Sequence, residues 1–203
     1  MTSHGAEELS AAIAVVGTVV DDVRDDQWSA ATPCEDWSVR QLTGHLVGGN
    51  RLFASILSGT PMPPLDELRR WAAEDQLGAD PPSAYREAAG ALLAAFELPG
   101  VLDAVHRFPV GPLPGRAAIA LRTVETLVHG WDLATATGQR LGPPADELAD
   151  GVLGFSRDLL TRLPEGRHPF APSRPVADDA PALDRLVALL GRTPDAQMGG
   201  RSS

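Results

Sequence analysis

Five histidines punctuate the chain, at positions 4, 45, 106, 129 and 168, and two of them, His45 and His129, fall mid-helix on faces patterned to point inward. Glu125 precedes His129 by four residues, which puts carboxylate and imidazole side by side on one helical face. A pair presented that way can share one cation. His45 from a facing helix would complete a set of two histidines and one glutamate. Catalytic zinc sites use such sets and keep a position open for water or substrate. Nickel or ferrous iron would take the same donors with two or three positions open. Without a cation, the same residues make a Glu125–His129 hydrogen bond inside a helical bundle, and spacing alone leaves both readings open.

Other residues gather around this trio. Arg122 lies three residues before Glu125 on the same side. It could pair with Glu125, clamp a substrate carboxylate, or close a salt bridge at the bundle end. Asp132, three residues after His129, could orient a histidine from behind or bond a neighbouring loop. Arg122 and Asp132 are the candidate catalytic residues. Cys34 follows Pro33 in a turn before a helix N-terminus, a position that lowers a thiol pKa. No His or second Cys is near it in sequence, so it reads as a small turn residue outside the ligand set. Asp36 either supports a ligand histidine or caps the helix entry. Trp37 and Trp131 read as core anchors beside the site. Asn50 and Arg51 follow His45, with Arg51 turned to solvent. His106 and His168 sit in loops able to cover the bundle mouth and read as surface residues, and His4 belongs to the N-terminal segment.

The elements that must position these groups are helical. Leu9, Ile13, Val16 and Val20 form one apolar face of a first helix, ending near Asp25–Gln27. The acidic residues Asp21, Asp22, Asp25 and Asp26 mark a solvated helix end. Ser38 is the expected N-cap of a second helix that carries Leu42, His45, Leu46, Gly49, Leu52, Phe53 and Ile56 on one face and stops at Ser58-Gly59. A helical piece spans about Leu65–Gln76, and a third long helix runs from about Ser83 to Glu97. Pro99 to Gly115 reads as a loop. A fourth helix covers about Arg116–Thr137, closed by Gly138, and a fifth about Pro144–Leu163. An extended Pro-rich stretch (Gly166–Val176) and a short helix (about Ala180–Leu190) follow. The expected fold is all-α: a four-helix bundle in one domain, with its core at about 4–163, a C-terminal appendage at about 164–194 and a disordered tail after Pro194.

Composition narrows the partners. The chain has 203 residues and a formal net charge of −10, which disfavours nucleic acid. All 17 basic residues are Arg, as codon bias in a high-G+C bacterium would produce. A single cysteine fits a reducing, cytoplasmic compartment. No apolar run approaches the ~20 residues of a membrane span, and residues 1–8 lack a secretory pattern.

Four strings carry a family resemblance. Thr32-Pro33-Cys34-Glu35-Asp36-Trp37-Ser38-Val39-Arg40-Gln41-Leu42 leads into Gly44-His45-Leu46-Val47-Gly48-Gly49-Asn50-Arg51. Glu125-Thr126-Leu127-Val128-His129-Gly130-Trp131-Asp132-Leu133-Ala134 comes later, and Leu190-Gly191-Arg192-Thr193-Pro194 closes the match. Together they resemble the actinobacterial metal-binding proteins related to mycothiol-dependent maleylpyruvate isomerase, in the DinB-like superfamily of four-helix bundles. The resemblance implies a divalent cation, zinc above nickel or ferrous iron, on His45, Glu125 and His129. It also implies a low-molecular-weight thiol such as mycothiol, brought to a small electrophilic substrate. The isomerase has a separate C-terminal domain, and this chain is too short to carry one of that size. The resemblance therefore implies a fold and a metal site rather than one reaction. Two functions follow as expectations: a metal-dependent thiol transferase or isomerase, or a non-catalytic metal-containing bundle that binds a small molecule or a protein. The expected assembly is a monomer or homodimer.

Overall fold

The computed structural model describes residues 4–34, 37–162 and 170–194. Asp36, His168 and the tail from residue 195 lie outside the described residues, as does the start of the Pro-rich stretch. The described elements are α1 (His4–Asp21), α2 (Val39–Leu57), α3 (Leu65–Ala72), α4 (Pro81–Phe96), β1 (Val105–Phe108), β2 (Gly111–Pro114), α5 (Gly115–Thr137), α6 (Pro144–Arg162) and α7 (Ala182–Leu189).

Local chemistry sets the helix ends. Ser38 accepts a hydrogen bond from the Gln41 amide at 3.3 Å, and the Gln41 side chain accepts one from the Ser38 amide at 2.9 Å. This reciprocal pair starts α2. Asp80 caps α4 by accepting from the Ser83 amide at 3.0 Å, ahead of prolines that need no amide partner. Gly138, at φ 70°, closes α5 in the left-handed conformation that glycine tolerates. The first helix stops at Asp21, short of the expected end, and a single 3-10 turn follows at Asp25–Gln27. Carboxylates oppose the negative end of a helix dipole, which favours the earlier stop. α3 ends at Ala72 because the chain turns away: the Asp75 side chain accepts from the Leu77 amide at 3.1 Å, and Gln76 reaches back to the Trp71 carbonyl at 2.9 Å.

The segment Pro99–Gly115, expected as a loop, instead pairs β1 and β2 as an antiparallel hairpin with Val105 opposite Pro114 and Phe108 opposite Gly111. Each strand is only four residues long, too short for alternation to show in sequence. Burial holds the hairpin down: Phe108 stacks on Phe53 of α2 with ring centroids 4.3 Å apart. Gly111, at φ 115°, supplies the turn that proline-flanked strands need.

Two apolar clusters organise the helices. α1, α2, α4 and α5 enclose the larger one, with Val16, Leu42, Leu46, Leu92 and Leu133 buried in it. α6 packs chiefly on α7 and forms a second layer against the other face of α5, around Leu127, Trp131, Leu148, Val152 and Leu186. α5 is thus buried from both sides. Glycine permits its close approach to α1, because a Cβ at Gly130 would overlap the Val16 side chain there.

Gly130→Ala should therefore destabilise the fold by about 1–3 kcal/mol, as overpacking does, read as a lowered denaturation midpoint. Ser38→Ala should cost about 1 kcal/mol through loss of the cap, measured in the same denaturant titration.

Candidate metal centre

α2 and α5 lie side by side, and their polar residues meet where the two clusters adjoin. The approach to α2 is a tight turn. The Thr32 hydroxyl donates to the Trp37 carbonyl at 2.8 Å and accepts from the Cys34 amide at 3.2 Å. This turn sets Cys34 and Trp37 at the rim of a cavity of about 510 Å³. His45, Glu125 and His129 form its floor. Phe170, Ala171, Arg174, Gly191 and Arg192 of the C-terminal segment form the opposite wall.

The three expected ligands come together. His45 Nε2 lies 3.3 Å from Glu125 Oε2, and His129 Nε2 lies 3.6 Å from that same oxygen. The two imidazole centroids are 5.1 Å apart and nearly perpendicular. One donor atom from each residue lies within 4.8 Å of the other two. Bonds from a cation to N and O donors are ~2.0–2.2 Å long, so this spacing suits a shared ion after small adjustment. Trp37 covers His45 at 4.5 Å between ring centroids, so it is a wall of the cavity and not only a core anchor.

A second trio, Cys34, His129 and Asp132, also gathers its donor atoms within 4.8 Å. It is the poorer cation site. Asp132 is already bound on both oxygens by Arg192, Nε to Oδ1 at 3.1 Å and Nη2 to Oδ2 at 2.7 Å. That guanidinium neutralises the carboxylate and repels a further cation.

Electrostatics follow from burial and pairing. Burial alone would raise the Glu125 carboxyl, but hydrogen bonding with His129 and His45 holds it well below the ordinary carboxylate range. Burial lowers the His45 imidazole, and its bond to Glu125 only partly restores it. A neutral His45 is the form that ligates metal. His129 moves the other way: burial would lower it, but hydrogen bonds to Asp132 and Glu125 raise it. Its Nδ1 faces Asp132 Oδ2 at 3.1 Å, which leaves Nε2 toward Glu125. Burial would raise Asp132, yet His129 and Arg192 together keep it low.

Arg122 takes a place the spacing did not foresee. It pairs with no carboxylate among the described residues and does not line the cavity. Its Nη2 donates to Asn50 Oδ1 at 2.7 Å, and the guanidinium lies 5.2 Å over the Phe53 ring. Gly49 makes room, since a Cβ there would stand 2.8 Å from Arg122 Nη1. Among the described residues Arg122 Nε has no hydrogen-bond partner, and the charge acts on Glu125 through space. Arg51 does not simply face solvent; it donates to the Gln76 carbonyl at 2.8 Å. His106 belongs to the hairpin, its Nε2 at 2.8 Å from the Val101 carbonyl, away from the cavity. Trp131 is buried in the second cluster. Arg192 stands in the Leu190–Pro194 string of the resemblance, but neither it nor Arg174 is singled out by spacing, because Arg192 meets a partner 60 residues before it in Asp132.

Comparison with known proteins agrees with this architecture. Two uncharacterized proteins of Mycobacterium tuberculosis, from two strains, are each 36% identical over 182 residues, covering 85% of this chain and 88% of theirs. Crystal structures of the mycothiol-dependent maleylpyruvate isomerase share the fold. A histidine-to-alanine mutant of it superposes with a TM-score of 0.61 at 11% identity, over 73% of this chain and 68% of that one. A second structure of the isomerase gives 0.53 over the same shares. Residues 9–134, which include His45, Glu125, His129 and Asp132, match the family model for the mycothiol maleylpyruvate isomerase N-terminal domain, and the chain belongs to that family.

Proposed function

We propose that this chain is a metal-dependent protein that brings a small thiol to a small electrophilic substrate, as a thiol transferase or isomerase. The observation that carries the reading is the convergence of His45, Glu125 and His129 on a cavity large enough for small molecules. Mycothiol is the thiol that the family suggests, since the isomerase of the same fold depends on it. Zinc is the favoured cation, because two imidazoles and one carboxylate leave the open position that catalytic zinc retains.

The donor set fits such an ion. Two imidazole nitrogens and a low-pKa carboxylate face one point, with the carboxylate ionised and His45 neutral. A divalent cation there supplies Lewis acidity, which lowers the pKa of a thiol or water that meets it. The chain's own residues do the rest. Asp132 keeps the His129 ring turned so that Nε2 faces the cavity. Arg122 adds positive charge behind Glu125. Trp37 and Phe170 line the cavity with apolar surface and limit water around the reactants. Divalent-metal analysis of protein purified without an affinity tag, followed by cobalt spectra with and without mycothiol, tests this reading. A thiol-dependent change in the cobalt spectrum supports it, whereas a chain that takes up no metal refutes it.

Three outcomes are expected. The bundle buries enough apolar surface to fold alone, so chelation should lower the melting temperature without unfolding the chain. His45→Ala, Glu125→Ala and His129→Ala should each abolish most of that metal-dependent difference in calorimetry. Cys34→Ala should leave metal content nearly unchanged by elemental analysis, because its thiol groups with the Arg192-neutralised Asp132 and not with His45 and Glu125.

A further inference from the structure

The C-terminal segment does more than wall the cavity. Leu190 is buried in the second apolar cluster at the end of α7. The Gly191 amide donates to the Ala188 carbonyl at 3.1 Å, and the Arg192 amide donates to the Val187 carbonyl at 2.9 Å. Gly191 adopts φ 91° and packs so closely on Ala171 that a Cβ would overlap it. This backbone turn aims the Arg192 side chain inward, where Nη1 is pinned to the Leu190 carbonyl at 2.8 Å. The guanidinium then grips both oxygens of Asp132, a residue with no exposed side-chain surface. Asp132 in turn meets His129 Nδ1.

We propose that Arg192 is a positioning residue for the cation site: by clamping Asp132 it fixes the direction in which His129 presents Nε2 to Glu125 and His45. The inference rests on the proposed cation reading. Its physical basis is rotational. A carboxylate held by one hydrogen bond swings about its terminal torsion, and the imidazole it holds swings with it. Two N–H groups from one planar guanidinium, one on each oxygen, remove that freedom. A ligand ring held in this way is preorganised, and loss of such a support costs about 10–100-fold in metal affinity. A buried Arg–Asp pair gives little net stability over apolar side chains of the same size. The geometry thus assigns the pair to orientation, and it makes docking of α7 and occupancy of the cation site two ends of one linkage. Whatever orders the Leu190–Arg192 turn favours cation binding, and a bound cation protects that turn equally.

The test uses the full chain and Co²⁺ as probe. Arg192→Gln should weaken Co²⁺ binding by about 10–100-fold, and Arg192→Lys, which keeps the charge but loses the fork, by less. Asp132→Ala combined with Arg192→Gln should bind no more weakly than Asp132→Ala alone, because both act through one clamp. Amide exchange at residues 186–192 should slow on Co²⁺ loading in the wild type and not in Asp132→Ala. If Arg192→Gln does not fold, Arg192→Lys carries the comparison. A variant that melts lower without metal but binds Co²⁺ as tightly as wild type shows a structural role only and overturns the inference. A wild type that binds no Co²⁺ refutes the cation reading instead. The clamp is then read without metal, from solvent exchange of the His129 Nδ1–H. That proton should exchange about tenfold faster in Arg192→Lys, as in a locally opened site, and equal rates overturn the clamp.

Discussion

Charge buried on α5 has to be matched by partners from every side. This helix is packed by the bundle on one face and by α6 and α7 on the other, yet it carries Arg122, Glu125, His129 and Asp132 along its length. An ion taken out of water costs several kcal/mol unless it is paired with good geometry. Two neighbouring segments answer these residues. α2 supplies His45 to Glu125 and Asn50 to Arg122. The C-terminal turn supplies Arg192 to Asp132. His129 serves two carboxylates at once, one from each ring nitrogen. Two glycines serve these pairings: Gly49 yields space to a guanidinium, and Gly191 bends the chain that delivers another.

The two apolar clusters give the polar seam its shape. The larger cluster positions α2 against α5, and the phase of α2 is set by its capping box, so His45 arrives on the inner face together with Leu42, Leu46 and Phe53. The smaller cluster positions α7, whose last turn leads directly to Arg192. The cavity is lined by the turn before α2, by His45, Glu125 and His129 and by the C-terminal segment. Its floor is polar because His45 of α2 meets Glu125 and His129 of α5 there, and its walls mix the rings of Trp37 and Phe170 with Arg174 and Arg192. That α6 packs on α7, and the bundle comprises α1, α2, α4 and α5, means that the C-terminal layer shares in the site through α5.

The same arrangement accounts for persistence of the fold at low identity. The isomerase structures superpose at 11% identity because helix phase and crossing depend on apolar spacing, which many sequences satisfy. The polar constellation is far less tolerant. A carboxylate between two imidazoles cannot be exchanged for an isostere without leaving a buried group unpaired.

Much of this was legible in the residues. Apolar spacing at three and four gave the helices, Ser38 and Gly138 marked two of their ends, and the four-residue step from Glu125 to His129 put two donors on one face. These features are local: each depends on the period of a helix or the conformation of one residue. The β1–β2 hairpin was not legible, since four-residue strands carry too little pattern and Phe108 is held by tertiary contacts such as its stacking on Phe53. The partner of Arg122 was not legible either, because spacing states which side of a helix a residue occupies but not what lies across from it. His45 stands 80 residues from Glu125 and Arg192 stands 60 from Asp132. Local periodicity determined which groups each helix could offer; only the packing of α2, α5 and the α7 turn decided which of them meet, because burial forces every buried charge to find its partner in space and not along the chain.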